Sequence, residues 1–295
     1  MCNFALVYMY FMRKVIVIFA LFSLLFMLFV PTGCNDRKPR TVDSTASDTA
    51  VRDTSAADST ENLIESTPMP RAADELFDDF VFNFAANRKL QRRRIVFPLP
   101  VYRDGKVVKK IAGAGWKMEH FFMRQEYYTL IFDNVKQMNL VKDTTISHVV
   151  IEKIFSHKNL VQQYLFNRIG GKWMLTSMNY KPMYQNQNAD FLKFYTKFAT
   201  DTAFQVRSMA REVQFTAPDP NDDFAQISGV MMPQQWPDFK PGLIPNGTLY
   251  NIIYGQKYTD AGRKLFVIRG IANGLEIELS FRKIGGRWKL VKFNS

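Results

Sequence analysis

Three histidines and two cysteines bound the nucleophilic, acid–base and metal chemistry open to this 295-residue chain. His120 is the strongest acid–base candidate. Trp116, His120 and Arg124 stand at i, i+4 and i+8, and would share one face if residues 116–124 were helical. An indole, an imidazole and a guanidinium there could hold an anionic ligand. With Asp133 or Tyr128 beside it, His120 could act as a general base in an apolar pocket. His148 is expected to start a strand and His157 to lie near a turn, neither with an obvious partner. No His-x-His, His-Glu-x-x-His or Asp-x-Asp-x-Asp-Gly pattern occurs, so no metal site is expected. Gly113-Ala114-Gly115 lacks the third glycine of a dinucleotide fingerprint, and no Lys-Ser/Thr follows it. It reads as a backbone bend, and no cofactor is expected. A lone histidine among aromatics is more often structural than catalytic, so the chain is read as a non-enzyme with no catalytic residue assigned.

The cysteines point to an address. Arg13 and Lys14 precede residues 15–30, which carry no charge and, apart from Ser23, no strong polar group. Sixteen residues at helical rise span roughly 24 Å, short for a membrane span and right for the core of an export signal. Val30-Pro31-Thr32-Gly33-Cys34 follows and resembles the lipobox of bacterial lipoproteins. That resemblance implies cleavage before Cys34, acylation of Cys34 and anchoring in a membrane, with the outer membrane of the cell envelope as the expected site. Two or three acyl chains, at about 0.8 kcal/mol per buried CH₂, hold such a protein stably. Since Cys2 and Cys34 both precede the globular part, that part has no disulfide and no thiolate site.

Residues 34–71 form a Ser/Thr/Asp-rich tether too poor in large apolar side chains to offset its chain entropy. As a coil its mean reach is about 30–36 Å. Asp43-Ser44-Thr45, Asp48-Thr49-Ala50, Asp53-Thr54-Ser55 and Asp58-Ser59-Thr60 recur every five residues. Asp48-Thr49-Ala50 resembles an Asp-Ser/Thr-apolar acceptor of O-glycosylation, which makes Thr49, and more loosely Ser44 and Ser59, candidate glycan sites. A plain polar linker explains the segment equally well.

Beyond the tether the chain reads twice. Phe77, Phe80, Phe84, Gln91 and Arg93 recur 114 residues on as Phe191, Phe194, Phe198, Gln205 and Arg207. Phe166, Gly170, Gly171, Trp173 and Leu175 recur 115 residues on as Phe281, Gly285, Gly286, Trp288 and Leu290. The Phe triplets at i, i+3, i+7 predict amphipathic helices, and the alternation at residues 275–282 predicts a half-buried strand. Gly170-Gly171 and Gly285-Gly286 predict tight hairpins. Asp104-Gly105 suggests another, and Asn273-Gly274 suggests a type I′ turn. The class is α+β: helices first, then an antiparallel meander.

This order of elements, with the two Gly-Gly-Lys/Arg-Trp hairpins, resembles the nuclear-transport-factor-2-like (cystatin-like, SnoaL-type) cone. Two such domains behind a lipobox look like an envelope lipoprotein family with a domain of unknown function. The resemblance implies tandem domains over residues 72–183 and 188–295, each with helices packed on a curved sheet that can enclose a pocket. It implies no single function, because that superfamily includes isomerases, dehydratases, ligand binders and interaction modules.

Arg93 and Arg207 occupy equal places and either line equivalent pockets or, with Gln91 and Gln205, bond a loop or helix end. Trp236, between Pro233 and Pro237, is either an exposed recognition residue or a lid over the second copy. The formal charge is +12 and the tether is net acidic, so residues 71–295 are strongly basic. Outside the cytoplasm nucleic acid is not an expected partner, whereas an envelope protein, lipid head groups or an anionic glycan are. The leading expectation is a lipid-anchored, non-catalytic protein that binds a ligand or partner. The alternatives are a SnoaL-like enzyme active in the first copy, and a structural spacer or docking protein.

Overall fold

The structure, a computed structural model, describes residues 74–219, 222–259 and 262–295. The export signal, Cys34, the tether and Thr49, Ser44 and Ser59 lie outside the described residues.

Each Phe triplet does form one face of a helix. Helix α1 (Phe77–Ala86) buries Phe77, Phe80, Val81 and Phe84, and α2 (Arg88–Arg93) follows after Asn87, whose side chain accepts from Leu90 N at 2.8 Å. In the second half, α3 (Ala189–Phe198) and α4 (Thr202–Arg207) repeat the pair, with Asp201 accepting from Phe204 N at 2.8 Å. These side chains satisfy helix-start N–H groups that have no intrahelical partner.

Six strands follow in each half. The first half supplies β1 (Leu99–Arg103), β2 (Lys106–Ile111), β3 (Tyr127–Phe132), β4 (His148–Phe155), β5 (Leu160–Ile169) and β6 (Lys172–Pro182). The second supplies β7 (Met209–Asp219), β8 (Asp222–Met231), then the short helix α5 (Trp236–Phe239), β9 (Thr248–Ile253), β10 (Arg263–Gly270), β11 (Glu276–Ile284) and β12 (Arg287–Asn294). Both Gly-Gly turns form as expected. Gly170, Gly171, Gly285 and Gly286 all have φ between 56° and 76°, the left-handed region a two-residue hairpin requires. The turn before β11 differs from expectation. Ala272 and Gly274 take positive φ, while the Asn273 side chain accepts from Leu275 N.

The twelve strands make one sheet, not two. Its order is β2-β1-β6-β5-β4-β9-β3-β10-β11-β12-β7-β8, which reads alike from both edges when each strand is replaced by its counterpart. The halves expected at 72–183 and 188–295 therefore do not carry separate sheets, because each gives its third strand to the other. β3 pairs with β10 and β9 pairs with β4, while β3 and β9 meet in parallel at Thr129 and Asn251. The reason lies in the strands' composition. Tyr128, Leu130 and Phe132 enter one core and Ile131 the other, so β3 is apolar on both faces and must be interior. β10 behaves likewise, with Leu265 and Val267 in the first core and Phe266 and Ile268 in the second. Since successive side chains point to opposite faces, the two cores and their helix pairs lie on opposite faces of the sheet.

The surroundings of the two helix pairs match closely. Phe77 meets Trp173 edge-on at 5.1 Å and Phe191 meets Trp288 at 5.4 Å; Phe84–Phe166 is 5.4 Å and Phe198–Phe281 is 5.2 Å. Leu175 N donates to Arg94 O as Leu290 N donates to Ser208 O, both at 2.8 Å.

Candidate functional site: a basic groove in the second half

Residues 116–124 are irregular, not helical, and Phe121 takes a φ of 49°, so Trp116, His120 and Arg124 do not share a helical face. Trp116 is buried and donates Nε1 to Gln91 Oε1 at 3.0 Å. Trp236 does the same to Gln205 at 2.9 Å and is wholly buried, as a lid over the second core. The two glutamines are thus structural partners of paired indoles. Tyr128 is buried and donates to Asp78 at 3.2 Å, with Tyr254 bonded to the other oxygen of that carboxylate. Burial pushes the Asp78 pKa up, against the pull of Tyr254 and Arg269. Asp133 is held by Lys264 at 2.5 Å and by Thr259. His120 is bonded to neither Asp133 nor Tyr128 among the described residues; the polar cluster beside it is Glu119, which accepts from Tyr164 at 2.7 Å and pairs with Lys153 at 3.3 Å. Arg93 and Arg124 are exposed.

Of the expected site residues, Arg207 lines an open concavity. A groove of about 560 Å³ lies between α3, α4 and the closing hairpin of the second half. Six cations, Lys193, Lys197, Arg207, Lys283, Arg287 and Lys289, line it with a single carboxylate, Asp190. Lys193 and Lys197 are one helical turn apart on α3, on either side of Phe194, so the helix presents them together. Lys197 sits over the Phe204 ring at 4.7 Å. Asp190 pairs with Lys283 at 2.8 Å and accepts from Trp288 Nε1 at 3.0 Å, and the Lys283 bond holds its carboxyl below the usual range. Asp201, at the start of α4, also reaches Arg207 at 3.9 Å, and two carboxylates cannot neutralise six cations, so the groove keeps a positive field.

The same corner of the first half is closed. Arg94, Arg168 and Trp173 stand where Ser208, Lys283 and Trp288 stand in the second. Asp74, just before α1, bonds Arg94 through both oxygens at 2.7 Å and accepts from Trp173 N at 3.2 Å. Arg168 donates to the carbonyls of Asp74 and Glu75 and lies over the Trp173 ring at 4.8 Å. The chain thus supplies its own anion to this corner, as a bidentate guanidinium–carboxylate pair.

A second cavity of about 560 Å³ adjoins the groove, sharing Asp190, Lys283 and Trp288 with it and reaching Asn188, Tyr258, Thr259 and Lys264. Behind the sheet centre, Glu152 is buried and accepts from Gln163, Asn186 and Asn251; burial raises its pKa despite those bonds.

Sequence reasoning named Arg207 but missed Asp190, Lys193 and Lys197, whose i, i+3, i+7 spacing on the expected helix was the available signal.

Comparison with known proteins agrees with this architecture. No curated protein matches the sequence. The chain is similar to the crystal structure of an NTF2-like protein from Bacteroides fragilis NCTC 9343, with 43% identity, coverage of 77% of this chain and 98% of that one, and a TM-score of 0.69. The fold is thus an α+β NTF2-like one built on a single mixed sheet. The profile of a family described as a domain of unknown function, DUF4348, matches residues 56–295, and the chain belongs to that family.

Proposed function

We propose that this protein is a lipid-anchored envelope component that binds, without transforming, an anionic ligand in the groove of its second half. The chain is then a duplicated NTF2-like unit, held to the membrane through Cys34. Phosphorylated lipopolysaccharide and acidic glycans are the envelope molecules with matching charge.

One observation carries the reading. The corner that Asp74 fills in the first half is open in the second, and there six cations surround it. The closed copy shows what chemistry suits this corner of the fold: a carboxylate against a cation beside the closing tryptophan. In the second copy Asp190 gives Lys283 and Trp288 such a carboxylate, and an external anion would meet the cations beyond it, Lys193, Lys197, Arg287 and Lys289. The reading as a SnoaL-like enzyme draws no support from His120, which among the described residues hydrogen-bonds to neither of its expected partners.

The test is titration of the purified soluble domain-bearing chain with trigalacturonate, inorganic pyrophosphate and neutral maltotriose, followed by tryptophan fluorescence. Both anions should bind, more weakly as salt rises, and maltotriose should not. The double variant Lys197→Glu/Arg207→Glu should lose at least about tenfold in affinity. Absence of anion binding, or undiminished binding by the variant, overturns the reading.

A further inference from the structure

The cavity at the start of α3 differs in chemistry from the groove it adjoins. Its cations are already matched: Lys264 is held by Asp133 at 2.5 Å and Lys283 by Asp190 at 2.8 Å. A second anion would find no uncompensated charge there. What the cavity does offer is Asn188. This residue is 2% exposed, occupies the cap position of α3 without using its side chain as a cap, and lines the cavity. Among the described residues neither its Nδ2 nor its Oδ1 has a partner at hydrogen-bond geometry, and the Tyr258 hydroxyl on the same wall is close enough only for a weaker polar contact. A buried amide left without partners costs on the order of 1–3 kcal/mol, so a group that both donates and accepts is strongly favoured beside it.

Hydroxyl groups have that dual character, and neutral ones suit a charge-balanced cavity. Thr259 and Asp190 offer further polar atoms on the same walls, and the Lys283 bond that lowers the Asp190 pKa keeps its carboxylate an acceptor. Asp190, Lys283 and Trp288 belong to both spaces, so one ligand can occupy both.

We infer that groove and cavity are two halves of one site for an acidic saccharide, the anionic group lying among Lys193, Lys197 and Arg207 and the sugar hydroxyls meeting Asn188. This deepens the anion-binding reading and rests on it.

The experiment compares inorganic phosphate with glucose 6-phosphate, by calorimetric titration of the wild type and of Asn188→Leu and Asn188→Ala. In the wild type the sugar phosphate should bind at least about tenfold more tightly, the worth of one or two well-placed hydrogen bonds. In both variants the ratio of the two affinities should fall toward one. Thermal unfolding checks the fold, and the unliganded variants should be no less stable than the wild type, because an unsatisfied amide has been removed. Equal affinities in the wild type, or a ratio that survives both substitutions, overturns the saccharide assignment while leaving the anion groove standing. Failure of both phosphates to bind overturns the anion groove itself.

Discussion

The two halves share helices, hairpins and paired tryptophans, yet treat one corner in opposite ways. In the first, Asp74 reaches Arg94 and Trp173, and Arg168 clamps the chain that carries it. In the second, serine replaces the arginine at position 208, the matching cations move outward onto α3 and the hairpin, and the space stays open. Duplication explains how this is possible. Once one copy is closed by an internal ion pair, its partner can give up that stabilising contact and keep the vacancy. Asp190 marks an intermediate condition: it engages Lys283 and the Trp288 indole, Asp201 reaches Arg207 from the rim, and the lysines of α3 are left to an outside anion.

The largest effect should come from opening the closed copy. Asp74→Ala leaves Arg94, whose side chain is only 11% exposed, without its partner, and should cost about 2–4 kcal/mol in denaturant unfolding. Adding formate or phosphate should recover part of that loss. No recovery would mean that the first corner, unlike the second, does not accept an external anion.

A matched pair of substitutions tests how alike the rest of the halves are. Gln91→Ala and Gln205→Ala each strip a buried indole N–H of its acceptor and should each cost about 1–3 kcal/mol. The two losses should agree to within roughly 0.5 kcal/mol, a usual margin for independent sites. A large gap would show that one helix pair is packed less tightly than its copy.

The smallest effect concerns an asymmetry at the centre. Glu152 on β4 stands where β10 has Val267, counting from the start of each eight-residue strand. Burial raises the Glu152 pKa in the folded protein, so the folded state holds the proton more tightly than the unfolded one. The contribution is therefore full below the ordinary glutamate range and declines as pH rises from there through the raised value. Thermal scans from pH 4 upward should show the wild type losing stability across that window, and Glu152→Gln should flatten the slope. An unchanged slope would move the cause elsewhere.

Features set by local pattern were readable in the sequence. The Phe spacing at 77–84 and 191–198 fixes a helix face, and Gly170-Gly171 and Gly285-Gly286 fix turns, because only nearby atoms decide them. Strand exchange was not readable. Pairing β3 with β4 or with β10 buries the same two faces, so alternation within residues 127–132 cannot choose between them. The one available hint was that this run and residues 265–268 are apolar at nearly every position, as interior strands are. At 116–124 the i, i+4, i+8 spacing misled, since Phe121 turns into the left-handed region and ends any helix. Of the groove, Arg207 was visible through the repeat, whereas Lys193, Lys197 and Lys289 differ from their counterparts Asp79, Asn83 and Met174 and so carried no repeat signal.

The traded third strands also limit how this protein can respond to what it holds. Many two-lobed binders close like a clamshell about a linker, but here the lobes are stitched by six register pairs between β4 and β9 and six more between β3 and β10. Prising them apart would mean unzipping the middle of a continuous sheet. Occupancy is thus expected to alter side chains and the hairpin rim while the sheet beneath keeps its pairing.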